Sequence, residues 1–424
     1  MDRERRRTLF NRVLCGTAVF AIGLSGWTLW GLWDRRHTVD EACGGLVPVG
    51  EVLALSGSGG EITPADNITE GIHLDDAPLP QSCVLRSEEV AEAAGRKSGT
   101  RQFFIAQVAT EPTRWTSEPV DDSFEDALDP SNPYIRVPVV PQPLGGGIAG
   151  KVTENSVTVR LPCPGGEHRG AGIAAVRASA TLDLAFYRAF APDGQLRQAD
   201  RDRLADIAVA TANNLADELG CPERLPEPPD GIPALNTEPV APDEAEGTCA
   251  WYGRAGLDES PVNTSGWLPD RVLEARADER VWQERCLLSV SRDARREAYD
   301  RHVDDPAYRE FREAEAGEGR RNWWLSAESF FGDAAVHVAT DPIDDERVAI
   351  PGRGGFDGGA NAWWATSVCD GKPAVHVLTA GYPYSEAVGR HLEPVFRAYV
   401  EDVAERRGCT DVVLPAKSDY RAES

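Results

Sequence analysis

Nine cysteines carry most of the chemistry available to this chain. A cysteine serves as a thiolate nucleophile, a metal ligand or half of a disulfide, and spacing separates the three. There is no Cys-x-x-Cys and no His-Glu-x-x-His, and the seven histidines are scattered, so no metal ligand set is expected. Cys15 lies inside an apolar run and reads as a small apolar residue. The other eight form two sets of four in related surroundings: Cys43, Cys83, Cys163 and Cys221, then Cys249, Cys286, Cys369 and Cys409. The third member of each set ends a strand-like run, NSVTVRLPC and NAWWATSVC. The fourth closes an amphipathic helix, ADELGC and AERRGC. This is an internal repeat of about 180 residues. Even cysteine counts outside a membrane read as disulfides. Four cysteines allow three pairings per set. First-to-second and third-to-fourth is favoured, because a strand end and the end of the helix packed on it lie close enough to staple. Each bridge would contribute about 3–4 kcal/mol through loop entropy.

Acid–base and nucleophilic chemistry find less support. No G-x-S-x-G, S-x-x-K, Walker or dinucleotide motif is present, so neither a catalytic residue nor a cofactor is assigned. The run GRGGFDGG (352–359) lacks a following Lys-Ser/Thr and reads as a turn between strands. The pairs Asp75–Asp76, Asp121–Asp122, Asp304–Asp305 and Asp344–Asp345 sit in a chain with 69 acidic residues and read as solvated loops. His337 and His376 occupy matched contexts, AVHVAT and AVHVLT, and read as half-buried strand residues. His168, in PGGEHRG, reads as the more exposed one.

Tryptophan is distributed unevenly. The first repeat has Trp115 alone, whereas the second has Trp251, Trp267, Trp282, Trp323, Trp324, Trp363 and Trp364. Indoles fill large cores, and they also form binding hot spots. Where a Trp–Trp pair lies on a strand, alternation turns one indole inward and the other outward. Trp323, Trp324, Trp363 and Trp364 are therefore the candidate interaction surface.

Helices and strands must hold these residues. Apolar positions recur at helical spacing over 200–220 (Leu204, Ile207, Ala208, Thr211, Leu215) and over 394–407 (Val395, Phe396, Tyr399, Val400, Val403). Gly220 and Gly408 suit helix C-termini, and a short helical piece begins near Ser385. Residues 293–321 read as a charged helical insertion broken at Pro306. Strands are expected at 102–109, 155–162, 171–180, 286–291, 333–340, 361–369 and 373–380. Successive strands with few helices between them imply an α+β class: two repeated domains, each an antiparallel sheet with helices on one face, preceded by one transmembrane helix.

That helix is Val13–Trp33, 21 residues without a charge and long enough to cross a bilayer. Arg3, Arg5, Arg6, Arg7 and Arg12 precede it and only Arg35 and Arg36 follow, which keeps the N-terminus cytoplasmic. No A-x-A-like cleavage site and no lipobox accompany it. The expected organisation is a cytoplasmic tail (1–12), a signal anchor (13–33), a first extracellular repeat (34–221), a Pro/acid-rich linker (222–248) and a second repeat (249–424). The net charge of −25 argues against nucleic-acid binding. Setting residues 1–37 aside leaves 37 basic against 66 acidic residues, so the acidity belongs to the outer part.

ACGGLVPVGEVLAL, followed by a second Cys that starts a strand, resembles membrane-anchored envelope proteins of streptomycete-type actinobacteria. The order Cys–Cys–strand–Cys–helix–Cys is also similar to the extracellular sensor domain of mycobacterial Ser/Thr kinases and to related secreted lipoproteins. The resemblance implies an antiparallel sheet with helices on one face, tied by two disulfides. It carries over no functional residue beyond the cysteines, because this chain has no kinase domain.

The expected function is a membrane-tethered, non-catalytic binding, scaffold or sensor-accessory protein of the cell envelope. Its partners would be the plasma membrane, through its own helix, and an envelope protein or wall polymer. A wall- or polymer-acting hydrolase with unidentified carboxylates is the alternative. An accessory, chaperone-like role beside another membrane system is a third reading.

Overall fold

A computed structural model describes residues 31–65, 71–74, 78–96, 99–111, 115–116, 140–183, 196–257, 266–302, 323–340, 347–381 and 384–420. Most of the expected membrane span (13–30) and all four Asp–Asp pairs lie outside these residues. So does most of the charged insertion, 303–321. Among the described residues, no helix is long and apolar enough to cross a membrane.

The first half begins with α1 (residues 31–42), α2 (Val49–Ala54), β1 (Ile62–Pro64), β2 (Gln81–Ser87) and α3 (Glu88–Ala93). It continues through β3 (Arg101–Glu111), β4 (Trp115–Thr116), β5 (Gln142–Gly145), β6 (Ile148–Val152), β7 (Ser156–His168), β8 (Ala171–Leu182) and α4 (Gln198–Glu218). The second half holds α5 (Ala250–Arg254), β9 (Arg271–Glu274), β10 (Gln283–Ser289), α6 (Arg292–Arg301), β11 (Trp324–Phe331), β12 (Val338–Ala339) and β13 (Gly355–Asp357). It ends with β14 (Ala362–Cys369), β15 (Lys372–Ala380), α7 (Tyr384–Val388), α8 (Leu392–Arg407) and β16 (Thr410–Val413).

The fold is α+β, with two antiparallel seven-stranded sheets. The first runs β1-β2-β3-β8-β7-β6-β5. The second runs β9-β10-β11-β15-β14-β13, with β16 also on β14. Matching β1–β3 to β9–β11, and β7–β8 to β14–β15, makes the two orders the same. The shared order, which leaves β5 and β16 without counterparts, is compatible with one unit used twice. Even the caps correspond: Ser87 caps α3 through Val90 N, and Ser291 caps α6 through Ala294 N.

Four disulfides join Cys43–Cys83, Cys163–Cys221, Cys249–Cys286 and Cys369–Cys409. In each half one bridge ties the opening helix to the second strand. The other ties the strand before the long hairpin to the end of the long helix. These helices pack as their periodicity predicts. Leu204, Ile207, Ala208 and Leu215 of α4 are buried in the first core, and Val395, Phe396, Tyr399, Val400 and Val403 of α8 in the second. Gly408 takes φ 61° and ends α8 in the left-handed conformation that glycine tolerates.

Two expectations change. Residues 333–340 form a short 3-10 turn (Gly332–Ala335) and the two-residue β12 instead of a full strand, so the two AVHV contexts are not equivalent. The central strand β11 lies in a stretch where none was expected, because its buried serines and glutamate mask any period. Residues 222–248, the expected linker, run extended against both halves. Asn213 brackets Leu225 through both its backbone groups, Asp202 accepts from Ile232 N at 2.8 Å, and Val240 pairs with Val272.

The sheets also differ in how they are covered. In the first, β7 and β8 bury one set of alternate residues and leave the other half-exposed. In the second, β10 is buried along its whole length and β11 along all but its last residue. Leu325 and Ala327 face α8, while Trp324 and Phe330 face away from it into separate apolar clusters with Val140 and Ala149 of the first half.

Candidate functional site

The indoles proposed as an interaction surface are core residues. Trp323, Trp324 and Trp363 are 1 %, 6 % and 3 % exposed, and Trp364 is half-buried. Alternation does turn the members of each pair to opposite faces, but both faces of this sheet are covered. The outward indole of each pair therefore meets protein rather than solvent. Trp363 lies under α8, with its ring stacked on Phe356 at 4.7 Å and Nε1 donating to Asp419 O at 2.7 Å. Trp364 packs beside Phe330 and Val377, over Gly355, where a Cβ would collide with the ring. Tryptophan is abundant in this half because two apolar layers need filling, one on each side of the sheet.

The side chains with chemical potential gather in three places. The first lies between the second sheet and α8. His376 of β15 has Nδ1 at 2.8 Å from Ser329 Oγ and Nε2 at 2.9 Å from Ser367 Oγ. Ser329 Oγ is in turn 2.6 Å from Tyr399 Oη. These distances match a nucleophile and its base, yet His376 and Ser329 have no exposed surface. Burial pushes the imidazole down to about 4 and holds the Tyr399 phenol well above its ordinary range. The imidazole is thus neutral near pH 7, and the chain serves as a satisfied polar core. Its edge is charged: Arg406 and Arg407 both reach Glu284, at 2.7 and 3.2 Å. Burial lowers the Arg406 pKa, but Glu284 and Asp402 outweigh it and raise the group above its ordinary value. The last turn of α8 thus curls the Arg406 guanidinium back onto β10.

The second place is the opposite face of the same sheet. Lys151 Nζ of β6 donates to Gln283 Oε1 at 2.9 Å, and Gln283 Nε2 donates to Glu328 Oε1 at 2.6 Å. Arg285 lies 3.9 Å from that carboxylate and donates to Ser326 Oγ at 3.1 Å. All five residues are buried. The third place joins the halves again: Arg160 of β7 pairs with Glu111 Oε2 at 2.8 Å and with Asp333 Oδ2 at 2.7 Å. Beside it, burial lowers Arg177 while Glu111 raises it, with a net downward shift. None of these groups stands out in the sequence, because a lone Lys, Glu or Arg on a strand carries no spacing signal. Parity along β10 and β11 is the one clue, since polar and apolar residues occur there on both faces.

Of the remaining candidates, His337 is exposed and His168 is half-buried at the end of β7, the reverse of the expected ranking. The 352–359 glycine run is more than the turn expected: it holds the short β13, paired with β14, and the turn that follows. Among the described residues, no group of three or more His, Cys, Asp or Glu is placed to hold a metal ion. Comparison with family models, with curated proteins and with solved structures finds no match.

Proposed function

We propose that this protein is a non-catalytic binding or scaffold protein of the cell envelope. In this reading residues 13–33 tether it to the plasma membrane, and two repeated units stand outside. The observation that carries the reading is the pairing of all eight cysteines beyond the apolar segment. Four disulfides in one chain require an oxidising compartment. The uncharged Val13–Trp33 run with five arginines before it supports the tether. The Ser–His–Ser chain, the arrangement closest to a catalytic one among the described residues, is sealed under α8 and supports stability instead. The partner would be an envelope protein or wall polymer.

Crosslinking in intact cells, followed by identification of the captured species, tests the reading. Envelope proteins or wall fragments are expected. A C-terminal cysteine tag that labels only after the plasma membrane is permeabilised would overturn it. Free thiols among the eight cysteines would do the same.

A further inference from the structure

Helix α1 bears an observation that the tether alone does not explain. It enters the first core directly: Val39 is fully buried, and Cys43 at its end is disulfide-bonded to β2. Ile72 N donates to Ala42 O at 3.1 Å, and the Arg35 guanidinium donates to Ser58 O. The helix is thus fixed from Arg35 to Cys43 by a covalent bond, a core residue and two hydrogen bonds. The end before Arg35 projects. Leu32 and Trp33 are 52 % and 57 % exposed, the two most exposed large apolar side chains among the described residues. They are also the last residues of the uncharged run that starts at Val13. Charge begins immediately after them, with Asp34, Arg35 and Arg36. Trp33 stacks on His37 one turn further along, at 5.3 Å between ring centres.

We infer that α1 is a rigid joint, with Leu32 and Trp33 seated at the headgroup level of a lipid bilayer and the first unit fixed above them without a hinge. The inference rests on the tethered reading above. An indole with one apolar and one polar edge favours the membrane interface. Leucine beside it belongs on the acyl side, and the exposed Arg36 belongs on the phosphate side. Six residues separate Trp33 from Val39, a rise of about 9 Å at 1.5 Å per residue. The near edge of the acidic outer part, at Val39, is therefore held about one Debye length from the headgroup level. A loose linker would let charge repulsion push it away, whereas a helix clamped by Val39 and the Cys43–Cys83 bridge resists this. The orientation of the outer surface relative to the membrane becomes a fixed property of the protein, useful to a scaffold that must present one face to its partner.

The test places single spin labels at Leu32, Trp33, Arg36 and His37, each changed to Cys in the full chain carrying Cys15→Ser. The protein is reconstituted in nanodiscs of phosphatidylethanolamine and phosphatidylglycerol. Labels at 32 and 33 should be accessible to oxygen and shielded from a nickel chelate, and labels at 36 and 37 should show the reverse, all with restricted motion. A Gly-Gly-Ser insertion after His37 should free the labels behind it without altering the disulfides. Fast motion at 36 and 37 in the uninterrupted chain would overturn the rigid joint, and so would nickel access at 33 equal to that at 36. Those outcomes in a protein that stays with the membrane after carbonate washing sink the joint and leave the tether standing. Release by carbonate sinks the tether itself.

Discussion

At the scale of single residues, His376 shows how a side-chain geometry suggestive of catalysis can resolve into packing. Its two nitrogens meet two serine hydroxyls inside the protein, so its neutral form is satisfied and its charged form is penalised. The folded imidazole titrates at about 4, against 6.5 for an ordinary histidine. The unfolded chain therefore binds the extra proton first as pH falls. Stability should be full above about pH 6.5 and decline towards pH 4, by up to about 3 kcal/mol from this group alone. Urea unfolding across that range should show the slope, and His376→Gln should flatten it even though it lowers stability overall. An unchanged slope in the variant would remove His376 from the account. A second residue-scale test concerns Gly166, which lies where β7 shifts register and passes close to the Cys163 sulfur. An added Cβ would collide with that sulfur. Gly166→Ala should lower the melting temperature by several degrees and raise the fraction of reduced Cys163 found by thiol alkylation.

At the scale of elements, both long helices and the disulfide pairing were legible in the sequence, because each announces itself within a short window. Leu204 to Leu215 and Val395 to Val403 keep a helical period, and a cysteine placed just after each helix meets one on a strand: Cys163 at the register shift within β7, Cys369 at the end of β14. The second sheet was less legible. A strand covered on one side alternates and can be read, as 156–163 of β7 does. A strand covered on both sides loses alternation, and β11 (WLSAESFF) adds polar residues whose partners lie far away in sequence. The same blindness misassigned the indoles: the facing was inferred correctly from strand parity, but the second cover comes from residues 140–151, well over a hundred positions away. Trp324 decides between the two views. Buried with Val140, Leu273 and Leu287, it should cost about 3–5 kcal/mol when replaced by Ala. Phe356, 38 % exposed, should cost less than half as much. Chemical denaturation of the two variants measures the difference. Equal and small losses would return Trp324 to the surface.

At the scale of the whole molecule, the two copies of one chain path do not behave as beads on a linker. The first half contributes β6 and β7 side chains and a short parallel pairing, β4 with β12, to the far face of the second sheet. The connector is pinned to both. Arg160 is the residue on which this union is most exposed to test, since it joins Glu111 of its own half to Asp333 of the other. The Glu111 side chain is fully buried, so removing the cation that hydrogen-bonds it leaves an anion in a low-dielectric site faced only by Arg177, a loss of up to about 3 kcal/mol. Arg160→Ala should therefore destabilise strongly, and Glu111→Gln in the same chain should restore much of the loss by removing the stranded charge. If the halves unfold as one unit, hydrogen exchange in β3 and in β15 should lose protection at the same denaturant concentration in the wild type. The two should separate in Arg160→Ala, with β3 opening first, because the stranded carboxylate lies in its half. Separate transitions in the wild type would show that the copies are energetically independent, and an additive double variant would show that Glu111 does not depend on Arg160. Cooperative loss followed by rescue would place the buried ion pair among the interactions that make two disulfide-stapled repeats a single rigid body.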